Sequence, residues 1–176
     1  KKVFGRRSNQ IIIIFLLLGI IFLIPSTPVL AISSRKNPDQ RFYSKAGYKN
    51  GFVISYTHSV NKGRVHDVYT KTEDNQLKLD RTIFVSYGAG IPEPEETPGA
   101  VFTVLENGYE ISNLNRIVPK LTMAVGIIAN HAITFYYGQE AFDYPLTDFF
   151  EPQTSINLEI KKVSLLEYTF HKIHKK

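Results

Sequence analysis

An uncharged apolar run close to the start of the chain constrains the sequence most strongly. Residues 11–24 are 14 consecutive residues without a charge, and residues 1–7 before them include four Lys and Arg. Two prolines follow at positions 25 and 28, and then Val29-Leu30-Ala31. A basic start, an apolar core of about 7–15 residues and a small residue at the cut form the pattern of a secretory signal. The pattern therefore predicts export with cleavage after Ala31.

A membrane anchor is the alternative interpretation of the same segment. The apolar core is short for a full span of about 20 residues, but residues 10–32 together are long enough to cross a bilayer. The chain is then held in the membrane through residues 11–32. Both interpretations place the following residues outside the cytoplasm, because basic residues stay on the cytoplasmic side. The expected location is the outer face of the cell membrane, or the periplasm or exterior after secretion.

Charge is divided unevenly along the chain. The net charge is +5, but four Lys and Arg precede the apolar run and three lysines lie within residues 172–176. Residues 37–170 hold 12 basic and 16 acidic side chains, a net charge of −4. A nucleic-acid-binding surface needs clustered positive charge. No nucleic-acid partner is therefore predicted.

Cysteine is absent from the sequence. This excludes disulfides, thiol catalysis and thiolate metal ligands. The histidines His58, His66 and His131 do not have the spacing of a recognised metal site. Neither a metal nor another cofactor is predicted.

The part of the chain after the apolar run divides by composition into three segments. Residues 32–50 are polar and resemble a linker, residues 51–165 form the predicted β domain, and residues 166–176 form a basic tail. For residues 165–176 a frayed, partly amphipathic helix is the alternative to a tail. Within the domain, short runs of β-branched and aromatic residues alternate with turn signals, which favours a compact β-sandwich or a partly closed barrel. The predicted strands span residues 52–60, 65–71, 77–86, 101–105, 109–112, 121–128, 132–137 and 155–163.

The stretch from Tyr56 to Asp67 is the richest in polar and aromatic residues. A hairpin with a four-residue loop at residues 61–64 places His58 opposite Asp67, which suggests a buried polar pair or a ligand contact. His58 and Ser59 are neighbours in the predicted strand, so their side chains point to opposite faces. That arrangement argues against a nucleophile and base formed by these two residues.

A second stretch, Tyr87-Gly88-Ala89-Gly90-Ile91-Pro92, follows a predicted strand. Its glycines indicate a turn that needs positive φ or a close backbone approach. No Lys-Ser or Lys-Thr follows, so it is not a phosphate-binding loop. Residues 92–99, with three glutamates and three prolines, predict a solvated acidic loop or one that binds a cation or a partner.

These two stretches resemble a bacterial family known as domain of unknown function eighteen-fifty. The resemblance covers residues 51–163 and rests on Tyr56-x-His58-Ser59-Val60, Val65-x-Asp67-x-Tyr69 and Phe84-x-Ser86-Tyr87-Gly88-Ala89-Gly90-Ile91-Pro92. Asp67 stands where this family usually shows Glu. Members are often encoded beside tripartite, solute-binding-protein-dependent (TRAP-type) transporters of the TAXI subclass. The resemblance therefore implies an accessory role, with transporter subunits in the membrane as partners.

Three classes of function follow from these observations. The first is an extracytoplasmic accessory or binding module of a TRAP-type (TAXI) transporter. The second is a small extracytoplasmic hydrolase with His58 as general base, because the ordinary histidine pKa of about 6.5 suits that role. The third is a structural protein of the cell envelope. The predicted ligand-binding or structural polar site consists of His58, Ser59, Asp67, Tyr87, Gly88, Gly90 and Pro92.

Overall fold

Strands dominate the fold, as the sequence predicts. The computed structural model describes residues 2–60, 62–86 and 97–174. The helices are α1 (Lys2–Ile21), α2 (Lys45–Asn50) and α3 (Leu165–His171), with a short 3-10 turn at Leu146–Asp148. The strands are β1 (Thr27–Ser34), β2 (Arg41–Ser44), β3 (Phe52–Thr57), β4 (Arg64–Lys71), β5 (Leu77–Phe84), β6 (Val101–Leu105), β7 (Gly108–Ser112), β8 (Arg116–Val118), β9 (Leu121–Ala124), β10 (Ala132–Tyr137), β11 (Glu140–Pro145) and β12 (Ser155–Val163).

The strands form two antiparallel sheets that pack face to face. The small sheet has the order β2-β1-β12-β9, and the large sheet has the order β11-β10-β3-β4-β5-β7-β6, with β8 also paired to β5. Within the described residues each order is open at both ends, which favours the sandwich among the predicted alternatives. Across residues 2–60, 62–86 and 97–174, no helix has both the length and the apolar character needed to span a membrane.

The main core lies between the two sheets and follows the alternation of their strands. In β12, Ile156 and Leu158 are buried in this core, whereas Asn157 and Glu159, which alternate with them, are partly exposed. Successive strand side chains point to opposite faces, so this strand behaves as its sequence pattern predicts. The large sheet contributes residues of the same kind, among them Phe52, Ile54, Ile133 and Phe135.

β1 is buried on both faces. Leu30 and Ile32 point into the main core, whereas Val29 and Ala31 lie in a second cluster that Tyr168 of α3 covers. These four side chains in the middle of β1 are each at most 1% exposed. β1 also pairs with β12 on one edge and with β2 on the other. The residues that resemble a cleavage motif are thus the interior of a central strand.

The predicted linker at residues 32–50 is a folded part of the domain, so that prediction is wrong. It contains the end of β1, all of β2 and all of α2. Tyr43 and Ser44 are buried, and the Ser44 hydroxyl caps α2 by accepting a hydrogen bond from the Gly47 N–H at 2.9 Å. The segment is polar on average because its buried residues are few, and the side chains around them remain in solvent.

For the described part of residues 166–176 the predicted tail is wrong and the alternative, a short helix, is found. α3 packs on the small sheet, and the Ser164 hydroxyl caps it by accepting from the Glu167 N–H at 3.0 Å. The Tyr43 hydroxyl donates to Glu167, and the Ile173 N–H donates to the Tyr43 carbonyl at 2.9 Å. Residues 175 and 176 lie outside the described residues.

We expect the fold to depend on the first half of β1. A chain that begins at Ile32 lacks Val29 and Leu30, whose burial stabilises by about 1.5–3 kcal/mol each, and it also lacks most of the β1 ladder. Total stabilities are only about 5–15 kcal/mol. This chain should therefore show no cooperative thermal transition by circular dichroism. A chain that begins at Ser26 retains β1 and is the control, and equal melting midpoints for the two chains would contradict the expectation.

Candidate functional site

A pocket of about 490 Å³ opens at the end of the sandwich where β3 meets the loop after β9. Thr57, His58, Ser59 and Lys62 form one side, and residues 126–129 form the opposite side with Gln153. The volume lies within the range of about 300–1,000 Å³ that small-molecule sites occupy. The structure thus brings two of the predicted site residues, His58 and Ser59, into one concave surface.

Hydrogen bonds join the two sides of the pocket. The Thr57 N–H donates to the Ala129 carbonyl at 2.7 Å, and the Arg64 guanidinium donates to the Asn130 carbonyl at 2.8 Å. Arg64 and Thr57 face each other across the β3–β4 pair, so both contacts come from the rigid end of the large sheet. The pocket is therefore attached to the scaffold rather than formed by two independent loops.

His131 stabilises the same loop from within. The Gly126 N–H donates to His131 Nδ1 at 3.0 Å, and the His131 ring lies 5.8 Å from the ring of Tyr56. Burial, and then the charge of Arg64, lower the pKa of His131. Both causes favour the neutral imidazole, which is the form that can accept this hydrogen bond.

The β3–β4 hairpin has a longer loop than the sequence predicts. β3 ends at Thr57 and β4 begins at Arg64, so residues 58–63 form the connection. The loop closes through a hydrogen bond from the His58 N–H to the Gly63 carbonyl at 2.8 Å, and Lys62 has a positive φ of 57°. Asp67 consequently pairs with Ile54. The predicted pairing of His58 with Asp67 is wrong.

Because His58 and Ser59 lie in this loop and not in a strand, the argument that their side chains point to opposite faces does not apply. Side chains of neighbouring residues point to opposite faces only within a strand, and both residues follow the end of β3. In the loop both line the pocket. His58 Nδ1 accepts a hydrogen bond from the Val60 N–H at 3.3 Å, so the neutral ring carries its proton on Nε2. The only acceptor nitrogen of a neutral His58 is therefore occupied.

The rim of the pocket is basic. Lys62 Nζ donates to the Ser59 carbonyl at 2.6 Å, which holds the ammonium beside His58. The described lining residues include Lys62 and His58 and no Asp or Glu. The other described side is apolar, with Ile127 and Ile128 largely exposed. The site thus combines an apolar wall with a positive edge.

Asp67 lies on the core face of the large sheet, away from the pocket. The Thr82 hydroxyl donates to Asp67 Oδ1 at 2.8 Å, and burial raises the pKa of Asp67 to about 6 despite this bond. Burial, together with the charge of Asp67, raises the pKa of Tyr56 to about 12 and also raises that of Tyr69. Asp67 is therefore a buried polar group with a structural partner.

Two polar pairs on the opposite face of the large sheet were not predicted from the sequence. The Ser55 hydroxyl and His66 Nδ1 are hydrogen-bonded at 2.7 Å, and the Thr134 hydroxyl donates to Asp143 at 2.5 Å. Burial and then Arg64 lower the pKa of His66, while Asp143 opposes them. The observed register places Ser55 opposite His66, so the correct loop length would have revealed the first pair.

The remaining predicted site residues, Tyr87, Gly88, Gly90 and Pro92, lie outside the described residues, as does most of the acidic segment at 92–99. In the described part of the chain, no group of three or more His, Cys, Asp or Glu side chains is arranged to hold a metal ion. Of the predicted site residues that the structure describes, His58 and Ser59 line the pocket and Asp67 does not.

Fold and site together define a two-sheet antiparallel β protein with a loop-lined pocket at one end. The model of the family described as Domain of unknown function (DUF1850) matches residues 52–142, and the chain belongs to this family. The resemblance seen in the sequence is thereby confirmed. The match includes most of both sides of the pocket, whereas β1, β2, β12 and α3 lie outside it. Neither curated proteins nor solved structures gave a match.

We expect Asp67→Asn to stabilise the protein above pH 6. The raised pKa means that the folded state binds a proton more tightly than the unfolded chain, so ionisation of Asp67 costs stability as the pH rises from about 4 to 6. A shift of about two pKa units corresponds to at most about 3 kcal/mol. The Asn oxygen can still accept from Thr82. Urea unfolding at pH 8 should show a gain of about 1–3 kcal/mol that disappears near pH 4.

Asp80→Asn is the matched control for this experiment, because the Asp80 carboxylate is partly exposed and forms an ion pair with Lys78 at 3.1 Å. It should change the unfolding free energy by less than about 0.5 kcal/mol at either pH. A loss of stability in Asp67→Asn at pH 8 would show that the ionised carboxylate is favourable in the core.

Proposed function

We propose that the chain is a membrane-tethered, extracytoplasmic binding module that acts beside a TRAP-type (TAXI) transporter. The pocket between residues 57–62 and 126–129 carries the proposal, because it is a concave surface held by hydrogen bonds to the end of a rigid sheet. Binding residues are commonly found on loops that a rigid scaffold positions. The family resemblance supports the transporter as partner, and the basic residues before the apolar run support export.

Retention of the apolar segment is part of this proposal. A cut after Ala31 would divide β1 between two residues that are each 1% exposed. It would also remove the ladder that joins Thr27 to Val163 at the far end of the small sheet. Burial of β1 therefore favours an uncut chain that is held at the membrane by its own N-terminal segment.

The pocket is best suited to a small organic anion with a short apolar part. Lys62 and His58 supply positive charge or hydrogen-bond donors at the rim, and Ile127 and Ile128 supply an apolar surface. Pockets of this size bind by apolar contact and use a few polar groups for orientation. A carboxylate at the rim would pair with Lys62, while its alkyl part would cover the isoleucines.

Binding describes this geometry better than hydrolysis. A general base needs a free lone pair within reach of the proton that it removes. In neutral His58 that lone pair accepts the Val60 N–H, which leaves Nε2 as a donor. A donor beside the Lys62 ammonium suits recognition of an anion.

Ligand binding can be measured by NMR with hexanoate as the probe and hexanol as its uncharged counterpart. We expect saturable shift changes at residues 57–62 and 126–129 with hexanoate, and at least tenfold weaker binding of hexanol. Lys62→Glu should weaken hexanoate binding by at least tenfold because it reverses the charge at the rim. Lys49→Glu, an exposed lysine outside the pocket, is the control. Equal affinities for the two probes would contradict the anion site.

Partnership with a transporter is tested by co-purification. The full chain, tagged and expressed together with a TAXI-type transporter, should recover the transporter subunits from detergent-solubilised membranes in stable proportion. An unrelated membrane protein of the same cell serves as the control for non-specific recovery. Recovery of the transporter at the level of this control would contradict the accessory role.

A further inference from the structure

The C-terminal helix lies where the apolar segment enters the domain. Thr27 at the start of β1 pairs with Val163 at the end of β12, and α3 begins two residues after Val163. The Leu166 N–H donates to the Phe22 carbonyl at 3.2 Å. The first turn of α3 is therefore in direct contact with the chain that leaves the apolar run.

α3 has two different faces. On the inner face, Tyr168 packs against the cluster of Val29, Ala31 and Tyr43. On the outer face, Leu166 and Phe170 lie one turn apart and are exposed, Phe170 to 76%, and Leu165 is exposed at the border between the two faces. A phenylalanine and two leucines exposed on a seven-residue helix are not needed for its packing on the sheet, which the inner face supplies.

This exposed face continues an apolar surface of the N-terminal segment. Phe22, Leu23 and Ile24 are also exposed, and Phe22 is the residue that contacts the backbone of α3. The two groups thus belong to one end of the sandwich. Apolar side chains grouped in this way mark a surface that is covered by a partner or by lipid.

Basic side chains surround α3 on the side of the small sheet. Lys45 Nζ lies 4.4 Å from the centre of the Tyr168 ring, and Lys161 Nζ lies 5.5 Å from that of Tyr43. Lys162 and Lys172 follow next to the two ends of the helix. An apolar face bordered by lysines is the pattern of elements that lie at the surface of anionic bilayers.

We infer that α3 is a second lipid contact, in which Leu165, Leu166 and Phe170 enter the interfacial layer of the bilayer beside the apolar segment. The inference rests on the membrane tether of the proposed function. It adds an orientation of the domain relative to the bilayer. Two contacts at one end of the sandwich fix that end against the membrane, whereas a single tether would let the domain rotate.

This orientation places the pocket away from the membrane. β12 begins at Ser155, two residues after the pocket residue Gln153, and ends at Val163 beside α3. A strand of this length spans about 26 Å at roughly 3.3 Å per residue. The pocket therefore opens toward the aqueous phase and is accessible to soluble ligands and to the extracytoplasmic parts of a partner.

Tryptophan reporters test the inference in the full chain, which contains no native Trp. Phe170→Trp places an indole on the outer face of α3, and Ile128→Trp places one at the pocket, where Ile128 is 86% exposed. Both variants are reconstituted in vesicles of phosphatidylcholine and phosphatidylglycerol with brominated acyl chains. We expect a blue-shifted emission and at least threefold stronger quenching for Phe170→Trp than for Ile128→Trp.

The outcomes separate this inference from the tether itself. Flotation with the vesicles but no quenching of Phe170→Trp would overturn the lipid contact of α3 and leave the tether intact. Equal quenching of both variants would overturn this orientation of the domain. Failure of the full chain to float with the vesicles would overturn the tether and the inference together. Unchanged far-UV circular dichroism of both variants is the check that they fold.

Discussion

Burial of β1 on both of its faces is the constraint on which the rest of the structure depends. Leu30 and Ile32 close the core between the sheets, while Val29 and Ala31 lie beneath α3. Because β1 also pairs with β2 and β12, the middle of this strand is enclosed on every side. The small sheet needs this strand, and the strand is covalently continuous with the apolar segment. In the proposed module, folding and attachment to the membrane would thereby be joined in one chain segment.

The two ends of the sandwich carry different chemistry. One end holds α3, the exposed apolar side chains and several lysines, and the other holds the pocket. The family match at residues 52–142 includes most of the pocket end but not β1, β12 or α3. The matched part therefore contains most of the large sheet, β9 and the loops that line the pocket, and the unmatched elements build the surface that we assign to lipid. In the proposed module, the length of β12 thus separates the pocket from the end that contacts the membrane.

The pocket depends on contacts between distant parts of the chain. Arg64 and Thr57 bind the carbonyls of Asn130 and Ala129, and His131 accepts the Gly126 N–H. Arg64 also lowers the pKa of His66 and His131, after burial. One guanidinium therefore fixes the loop and favours the neutral form of the histidine beside it. These contacts explain why His131, which has no motif of its own, is part of the support of the site.

The sequence by itself determined the mainly β fold and the strand at residues 155–163, because these follow from local patterns of period two and of turn residues. It did not determine the hairpin register. Val65 pairs with Tyr56 rather than Val60, a shift of four residues, and an even shift leaves every side chain on the same face. Nor could it separate β1 from the predicted export signal, since a strand buried on both faces is continuously apolar. Only tertiary packing decided the hairpin register and the assignment of β1 to a strand. It determines which residues form the β3–β4 loop, and it places α3 over the second face of β1.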